Sequence, residues 1–85
     1  MMVQVRFFAA LRERAGRDAI QIDLPEGVST VAQLVDWLAE TDVALAQALE
    51  ATPRRMVAIN EVLGNEDSVV EAGDVVALFP PVTGG

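Results

Sequence analysis

Apolar and polar residues alternate in several segments, and this alternation predicts β-strands at both ends of the chain. Over residues 2–8 it places Val3, Val5 and Phe7 on one face of a first strand. The same pattern predicts strands over residues 18–24, 56–60 and 75–79. Residues 62–63 can add a very short strand, so we expect a sheet of four to five strands.

A helical spacing replaces the alternation in the middle of the chain. Thr30 followed by Gln33 fits a capping box, and apolar residues at 31, 34, 35 and 38 predict the principal helix. Asp42 is placed to cap a second helical segment that runs to about residue 51. A short helix is expected over residues 9–15, ended by Gly16. Residues 69–70 are interpreted as one tight helical turn.

The order of these elements predicts the fold class. The first and last strands are nearly continuously apolar, as central parallel strands are, and a right-handed crossover through the helix would join them. The arrangement is an α+β, ubiquitin-like β-grasp with one principal helix across one face of a mixed sheet. A ferredoxin-like fold is the alternative, but residues 68–74 are too few for the second long helix it needs. We expect one domain over residues 1–79 and an extended tail over residues 80–85.

A helix on one face of the sheet leaves apolar side chains on the other. The alternation places Phe8 and Phe79 there, with Val75, Ala77 and Leu63 beside them. An uncovered apolar surface of this kind is typical of a protein interface. The alternative is that a helix or loop of the same chain covers both phenylalanines.

The tail has a composition that favours projection from the sheet. Its residues are Pro80, Pro81, Val82, Thr83, Gly84 and Gly85. Proline lacks a backbone donor and stops strand pairing, whereas glycine can thread a narrow channel. Six residues reach about 20 Å when extended. We therefore expect the tail to deliver a terminal carboxylate into the active site of another protein; the alternative is a frayed end.

The composition excludes several kinds of site. The 85-residue chain has no Cys, His or Lys, so it has no disulfide, no side-chain thiolate and none of the usual zinc ligands. Thirteen Asp and Glu residues against six Arg give a formal charge of −7, which disfavours nonspecific nucleic-acid binding and favours basic protein partners. The arginines, at residues 6–17 and 54–55, are interpreted as solvated charges, with partner steering as the alternative.

The sequence does not predict a membrane span or a signal peptide. No apolar run approaches the roughly 20 residues of a membrane span. Residues 1–6 enter a strand directly, without the basic and apolar regions of a signal peptide. We expect a cytoplasmic protein.

Three motifs together resemble a known family. They are Phe7-Phe8-Ala9, followed by Leu11-Arg12-Glu13 and Gly16, then Gly73-Asp74-Val75-Val76-Ala77, and finally Phe79 to Gly85. They are similar to motifs in the small subunits of molybdopterin synthases, which are ubiquitin-like sulfur carriers of molybdenum cofactor biosynthesis. The resemblance covers essentially the whole chain, and its most specific part is the ending Pro-Pro-Val-Thr-Gly-Gly.

The resemblance implies a function for the tail. An adenylyltransferase similar to ubiquitin-activating enzymes would use ATP and Mg to adenylate Gly85, and a sulfur donor protein would convert the adenylate to a thiocarboxylate. That sulfur would be donated to cyclic pyranopterin monophosphate within molybdopterin synthase. The resemblance implies a large subunit as partner, in a heterotetramer, and catalytic side chains on that subunit rather than on this one. This chain would bind no metal or cofactor.

The resemblance also implies residue roles. Phe8, Leu63 and Phe79 correspond to hydrophobic contacts with the partners, and Pro80 to Gly84 correspond to the inserted tail. Three alternatives share the fold or the tail: a sulfur carrier for thiazole or cysteine synthesis, a ubiquitin-like protein modifier, and an interaction module whose tail is idle.

Overall fold

The computed structural model describes residues 2–81, which form five strands and three helices. The strands are β1 (Met2–Phe7), β2 (Ala19–Asp23), β3 (Met56–Ile59), β4 (Val62–Leu63) and β5 (Val75–Phe79). The helices are α1 (Ala9–Ala15), α2 (Val31–Thr41) and α3 (Val43–Glu50). Each of the five predicted strands and the three predicted helices lies within a residue or two of its expected position.

The five strands form one mixed sheet in the order β2-β1-β5-β3-β4. Strands β1 and β5 are parallel neighbours at its centre, as predicted, and all other pairs are antiparallel. The α+β class and the β-grasp arrangement are therefore confirmed. The last strand in sequence occupies the middle of the sheet.

One face of the sheet carries the hydrophobic core. Val3, Val5 and Phe7 of β1 lie beside Val76 and Leu78 of β5, and all five side chains are buried. Val57 of β3 and Val70 belong to the same cluster, and the helices contribute eight more members: Leu11, Ala15, Val31, Leu34, Leu38, Leu45, Ala48 and Leu49. Because all three helices pack on this face, the opposite face of the sheet has no helix of residues 2–81 across it.

Local signals in the sequence set the ends of the helices. Gln33 donates its backbone N–H to Thr30 Oγ1 over 3.3 Å, and Thr30 donates its own to Gln33 Oε1 over 3.2 Å. This is the predicted capping box. The carboxylate of Asp42 accepts from two N–H groups of α3, as expected. Gly16 ends α1 at φ 75°, a left-handed conformation that glycine adopts without strain.

The predicted helical turn at residues 69–70 is wrong. Val69 forms an isolated antiparallel bridge with Thr30, and the Val70 N–H donates to the Ser29 carbonyl over 2.9 Å. Val70 is also buried in the core. The segment is extended because it pairs with the chain just before α2, and β-branched valine favours that conformation.

The interpretation of the arginines as solvated charges is wrong for several of them. Arg17 forms an ion pair with Asp42 at 2.8 Å, and Arg14 donates to Thr52 Oγ1 at 2.8 Å. Arg55 donates to two backbone carbonyls at and just beyond the end of α3. Arg14 and Arg17 thus join segments that are 38 and 25 positions apart in sequence, and Arg55 closes a local contact after α3. None of the helices within residues 2–81 has the length and apolarity that crossing a membrane requires.

Candidate functional site

The candidate site lies on the face of the sheet opposite the helices. Ala77 at the centre of β5 lies opposite Arg6 on β1 and Ala58 on β3, while Phe79 lies opposite Met56. Because successive residues of a strand point to opposite faces, this register gathers several apolar side chains on the open face. We call them, with Phe8, the sheet-face patch: Phe8, Met56, Ala58, Leu63, Val75, Ala77 and Phe79.

The sheet-face patch is open to solvent at two of the predicted partner contacts. Leu63 is 64% exposed and Phe8 is 39% exposed. Phe8 follows β1 in an extended conformation, and its N–H donates to the Leu78 carbonyl of β5 over 3.2 Å. Phe79 is half-buried rather than fully exposed, with Met56 directly opposite on β3. No helix or loop of the described chain covers Phe8, so the surface predicted on this face is available to a partner.

A groove beside the patch contains a positive charge. Its volume is about 420 Å³, and we call it the Arg6 groove; it is lined by Gln4, Arg6, Phe8, Asn60, Glu61, Val75 and Ala77. The guanidinium carbon of Arg6 lies 5.3 Å from the centroid of the Phe8 ring, which is a cation–π geometry. The register places alanines on both sides of Arg6, Ala19 on β2 and Ala77 on β5. These small neighbours leave space around the guanidinium.

Asn60 fixes the far end of the groove. Its Oδ1 accepts from the Val75 N–H over 2.9 Å, and its Nδ2 donates to Asp74 Oδ1 over 2.9 Å. Its backbone N–H also donates to the Val75 carbonyl over 2.8 Å. These three hydrogen bonds attach the β3–β4 hairpin, which forms one side of the groove, to Asp74 and Val75 on the other side.

The tail leaves from the opposite end of β5. Strand pairing ends at Phe79, and Pro80, which is half-buried, and Pro81, which is exposed, follow outside the sheet. The structure therefore brings the start of the tail next to the patch. The predicted tail residues Val82, Thr83, Gly84 and Gly85 lie outside the described residues.

A larger cavity, about 610 Å³, lies on the helix side of the sheet. It is lined by Val31, Ala32, Val35, Asp36, Arg55, Met56, Val57, Gly64, Asn65, Glu66 and Leu78. Its floor is formed by core residues of β3, β5 and α2, with Asp36 and Glu66 as its acidic members. Met56 lines this cavity and also belongs to the sheet-face patch.

Within residues 2–81, no cluster of three or more His, Cys, Asp or Glu side chains could hold a metal ion. The pKa of Asp42 is lowered from its ordinary value of 3.8, first by the hydrogen bond from Arg17 and then by that from the Leu45 N–H. Asp42 lies at the junction of α2 and α3, away from the sheet-face patch. The open face offers a partner apolar side chains and the guanidinium of Arg6.

Three residues of this site were missed by the sequence reasoning. Met56 and Ala58 belong to the patch, and a signal for them was present, because they alternate with the predicted core residues of β3. Arg6 was placed on the correct face of β1 but was interpreted as a solvated charge. Its stacking on Phe8 follows from i, i+2 spacing on one face of an extended segment.

Comparison with known proteins identifies the family. Residues 5–85 match the ThiS family. The chain belongs to the ThiS family. Among its relatives, the molybdopterin synthase sulfur carrier subunit of Haemophilus influenzae is 43% identical over 84 residues, which are 99% of this chain and 100% of that protein. The resemblance predicted from the sequence motifs is thus confirmed for this ThiS-family chain.

Solved structures agree with the fold. The crystal structure of the modifier SAMP1 from Haloferax volcanii matches with a TM-score of 0.75 at 31% identity, covering 100% of both chains. A protein–protein complex of subunits 1 and 2 of the molybdopterin-converting factor from Helicobacter pylori contains a chain that matches with a TM-score of 0.65 at 30% identity, again over 100% of both chains. The ubiquitin-like β-grasp of this ThiS-family chain is shared with both.

Proposed function

We propose that this chain carries sulfur for molybdopterin synthase on the carboxylate of Gly85. The observation that carries the proposal is the 43% identity to a molybdopterin synthase sulfur carrier subunit over that protein's whole length. In the proposed reaction Gly85 is adenylated and then converted to a thiocarboxylate. The thiocarboxylate donates its sulfur to cyclic pyranopterin monophosphate.

The chemistry needs no catalytic side chain from the carrier. A carboxylate oxygen of Gly85 attacks the α-phosphorus of ATP, and pyrophosphate leaves. A persulfide of a donor protein then attacks the acyl carbon and displaces AMP, which gives an acyl disulfide. A thiol attacks the donor-side sulfur of that acyl disulfide, so the thiocarboxylate leaves and the donor sulfur ends in a new disulfide with the thiol. Because the chain has no Cys, no side-chain thiol can carry the sulfur in this reaction. ATP and Mg²⁺ belong to the activating adenylyltransferase, and the need for ATP favours a cytoplasmic location.

The position of the tail supports the proposal. It leaves β5 directly after Phe79, a member of the sheet-face patch, so a protein that docks on the patch lies next to the tail. Residues 80–85 reach about 20 Å when extended. In this proposal Phe8, Leu63 and Phe79 contact the large subunit, and Pro80 to Gly84 lie in the channel that leads to its active site.

The proposed partner is the large subunit of the synthase. The Helicobacter pylori structure, in which subunit 1 is complexed with subunit 2 of the molybdopterin-converting factor, supports a stable pair. We propose a heterotetramer of two carriers and two large subunits. The activating adenylyltransferase and the sulfur donor protein would be transient partners of the same carrier.

Mass spectrometry of the intact protein tests the proposal. Chain purified from its native host, while the cofactor is being made, should show the mass increase of one oxygen-to-sulfur exchange, located at Gly85 by fragmentation. Deleting Gly85, or adding one alanine after it, should abolish sulfur transfer. Because the core cluster is formed by residues between Val3 and Leu78, both variants should keep the wild-type circular dichroism spectrum and melting temperature. Full sulfur transfer by the extended variant would contradict the proposal.

A second candidate function is protein modification. The likeness to SAMP1 of Haloferax volcanii, at a TM-score of 0.75, favours it. The same acyl adenylate would then be attacked by an amine of a target protein, and an amide bond would form instead of a thiocarboxylate. Immunoblots of host extracts, together with the intact mass, distinguish the two functions. A ladder of Gly85-dependent conjugates on the immunoblot supports the modifier, whereas a single band and the sulfur mass shift in the mass spectrum support the carrier.

A further inference from the structure

Arg6 places a positive charge on the open face of the sheet. The strand residues described on this face are apolar or uncharged apart from Arg6 and Asp23, and Arg6 is the cation among them. The chain as a whole has a formal charge of −7. A positive charge therefore lies within an apolar binding surface of an acidic protein.

The guanidinium of Arg6 stacks on an aromatic ring and is not neutralised by a carboxylate. Its carbon lies 5.3 Å from the centroid of the Phe8 ring. Within residues 2–81 no carboxylate lies within ion-pair distance of it, although Arg12 and Arg17 each pair with an aspartate. Stacking on a ring restricts the side chain and leaves its N–H donors free. Glu61 lines the same groove and does not form an ion pair with Arg6.

Docking would change the environment of this charge. The Arg6 groove is continuous with the sheet-face patch, since Phe8, Val75 and Ala77 belong to both. A protein that covers the patch also removes water from Arg6, and a buried charge is costly unless it is paired. Ala19 and Ala77 leave room beside the guanidinium for a group from the partner.

We propose that Arg6 is a specificity-determining residue, which selects a large subunit that places a carboxylate, flanked by apolar side chains, in the Arg6 groove. This inference rests on the proposed function, because it names a feature of the same partner. A planar guanidinium can bind a carboxylate through two parallel hydrogen bonds, and stacking on the Phe8 ring restricts the Arg6 side chain before the partner arrives. The carboxylate comes from an Asp or Glu side chain of the large subunit.

Charge variants of the whole chain, titrated with the large subunit from the same organism, test the inference. Arg6→Glu places two negative charges together and should weaken binding at least about tenfold, mainly at low salt. Arg6→Leu should weaken it about threefold and reduce its salt dependence. Arg6→Lys should keep the salt dependence but recover only part of the affinity, because an ammonium group cannot form two parallel hydrogen bonds with a carboxylate. The matched control is Arg54→Glu, which makes the same charge change at an exposed arginine outside the groove and should alter affinity less than about twofold.

The outcomes separate this inference from the proposed function. If the wild-type chain binds the large subunit but R6E and R54E weaken it equally, long-range charge explains the effect and the inference is wrong. If R6L binds as tightly as wild type with the same salt dependence, no carboxylate faces Arg6 and the inference is again wrong. If the wild-type chain does not bind at all, the proposed partnership fails and the inference fails with it. Circular dichroism of each variant checks that it is folded.

Discussion

Asp42 joins two helices and an arginine at a single position. Its Oδ1 accepts from the N–H groups of Ala44 and Leu45 at the start of α3, and its Oδ2 accepts from Arg17 over 2.8 Å. Its own backbone N–H closes the last turn of α2 on the Leu38 carbonyl. The carboxylate therefore interacts favourably with this site only while it is ionised.

This arrangement predicts how stability depends on pH. Because the pKa of Asp42 is lowered in the folded state, its contribution is present above the ordinary value of 3.8 and is lost as the pH falls through the lower folded value. Asp42→Asn keeps an oxygen that can cap α3 but loses the charge, so its melting temperature should fall less than that of wild type between about pH 4 and about pH 2.

Thermal unfolding followed by circular dichroism across this pH range measures the difference. Asp18→Asn is the control, since it removes an exposed carboxylate that caps no helix and lies 3.5 Å from Arg12. Equal acid sensitivity in wild type and D42N would show that Asp42 does not contribute in this way.

At the scale of the elements, the β3–β4 hairpin contains backbone strain. Its two turn residues, Asn60 and Glu61, have φ values of 51° and 69°, the left-handed conformation that side chains other than glycine adopt at a cost. Asn60 is compensated by its side-chain hydrogen bonds to β5, whereas the Glu61 side chain is exposed. The hairpin is therefore less stable than its sequence could make it.

Replacing Glu61 with glycine should relieve this strain. Asn-Gly is the preferred pair for such a turn, and we expect Glu61→Gly to raise the free energy of unfolding by about 0.5–1 kcal/mol, after the larger chain entropy of glycine is subtracted. Urea denaturation measures the change. Glu61→Ala removes the same carboxylate but keeps the β-carbon, so it should not stabilise; equal effects of E61G and E61A would assign the change to charge.

Elements with a local signal were predictable, and those fixed by distant contacts were not. The alternation of apolar and polar residues predicted the strands, and the capping residues Thr30 and Asp42 predicted the starts of α2 and α3. Residues 69–70 have too few positions to show a period, and their extended conformation comes from pairing with Thr30, 39 positions earlier in the sequence. The pairing of Arg17 with Asp42 spans 25 positions and likewise leaves no pattern.

Only part of the candidate site could be predicted from local sequence. The face that Phe8 and Phe79 occupy follows from strand alternation, and the prolines of the tail are visible directly. The Arg6 groove depends on the register of β1 against β5 and on two alanines that lie beside Arg6 on neighbouring strands. Residues 6 and 77 become neighbours only when the sheet is assembled, so the groove could not be predicted from local sequence.

At the scale of the whole molecule, the two faces of the sheet have different roles. The helices and core stabilise the domain on one face, and the apolar surface on the other is free for a partner. A substitution that is exposed on the open face should therefore affect binding without affecting folding. Leu63, which is 64% exposed on β4, offers this test.

Leu63→Asp should weaken binding of the large subunit at least about tenfold, because docking would bury the new carboxylate among apolar side chains. Its free energy of unfolding should change by less than about 1 kcal/mol. Calorimetric titration and urea denaturation measure the two effects. The matched control is Val43→Asp, at a side chain that is 75% exposed at the start of α3, which should leave binding unchanged. Equal binding by L63D and wild type would remove Leu63 from the interface.

The central position of β5 has a consequence for folding during synthesis. Strands β1 and β2 can pair early, and β3 and β4 can form their own hairpin, but residues 75–79 must be made before the two pairs join. Pairing of β1 with β5 closes a loop of about 70 residues, the kind of contact that forms slowly. The segment that carries the tail is therefore also the segment that completes the domain, so an incomplete chain on the ribosome does not present a usable carrier.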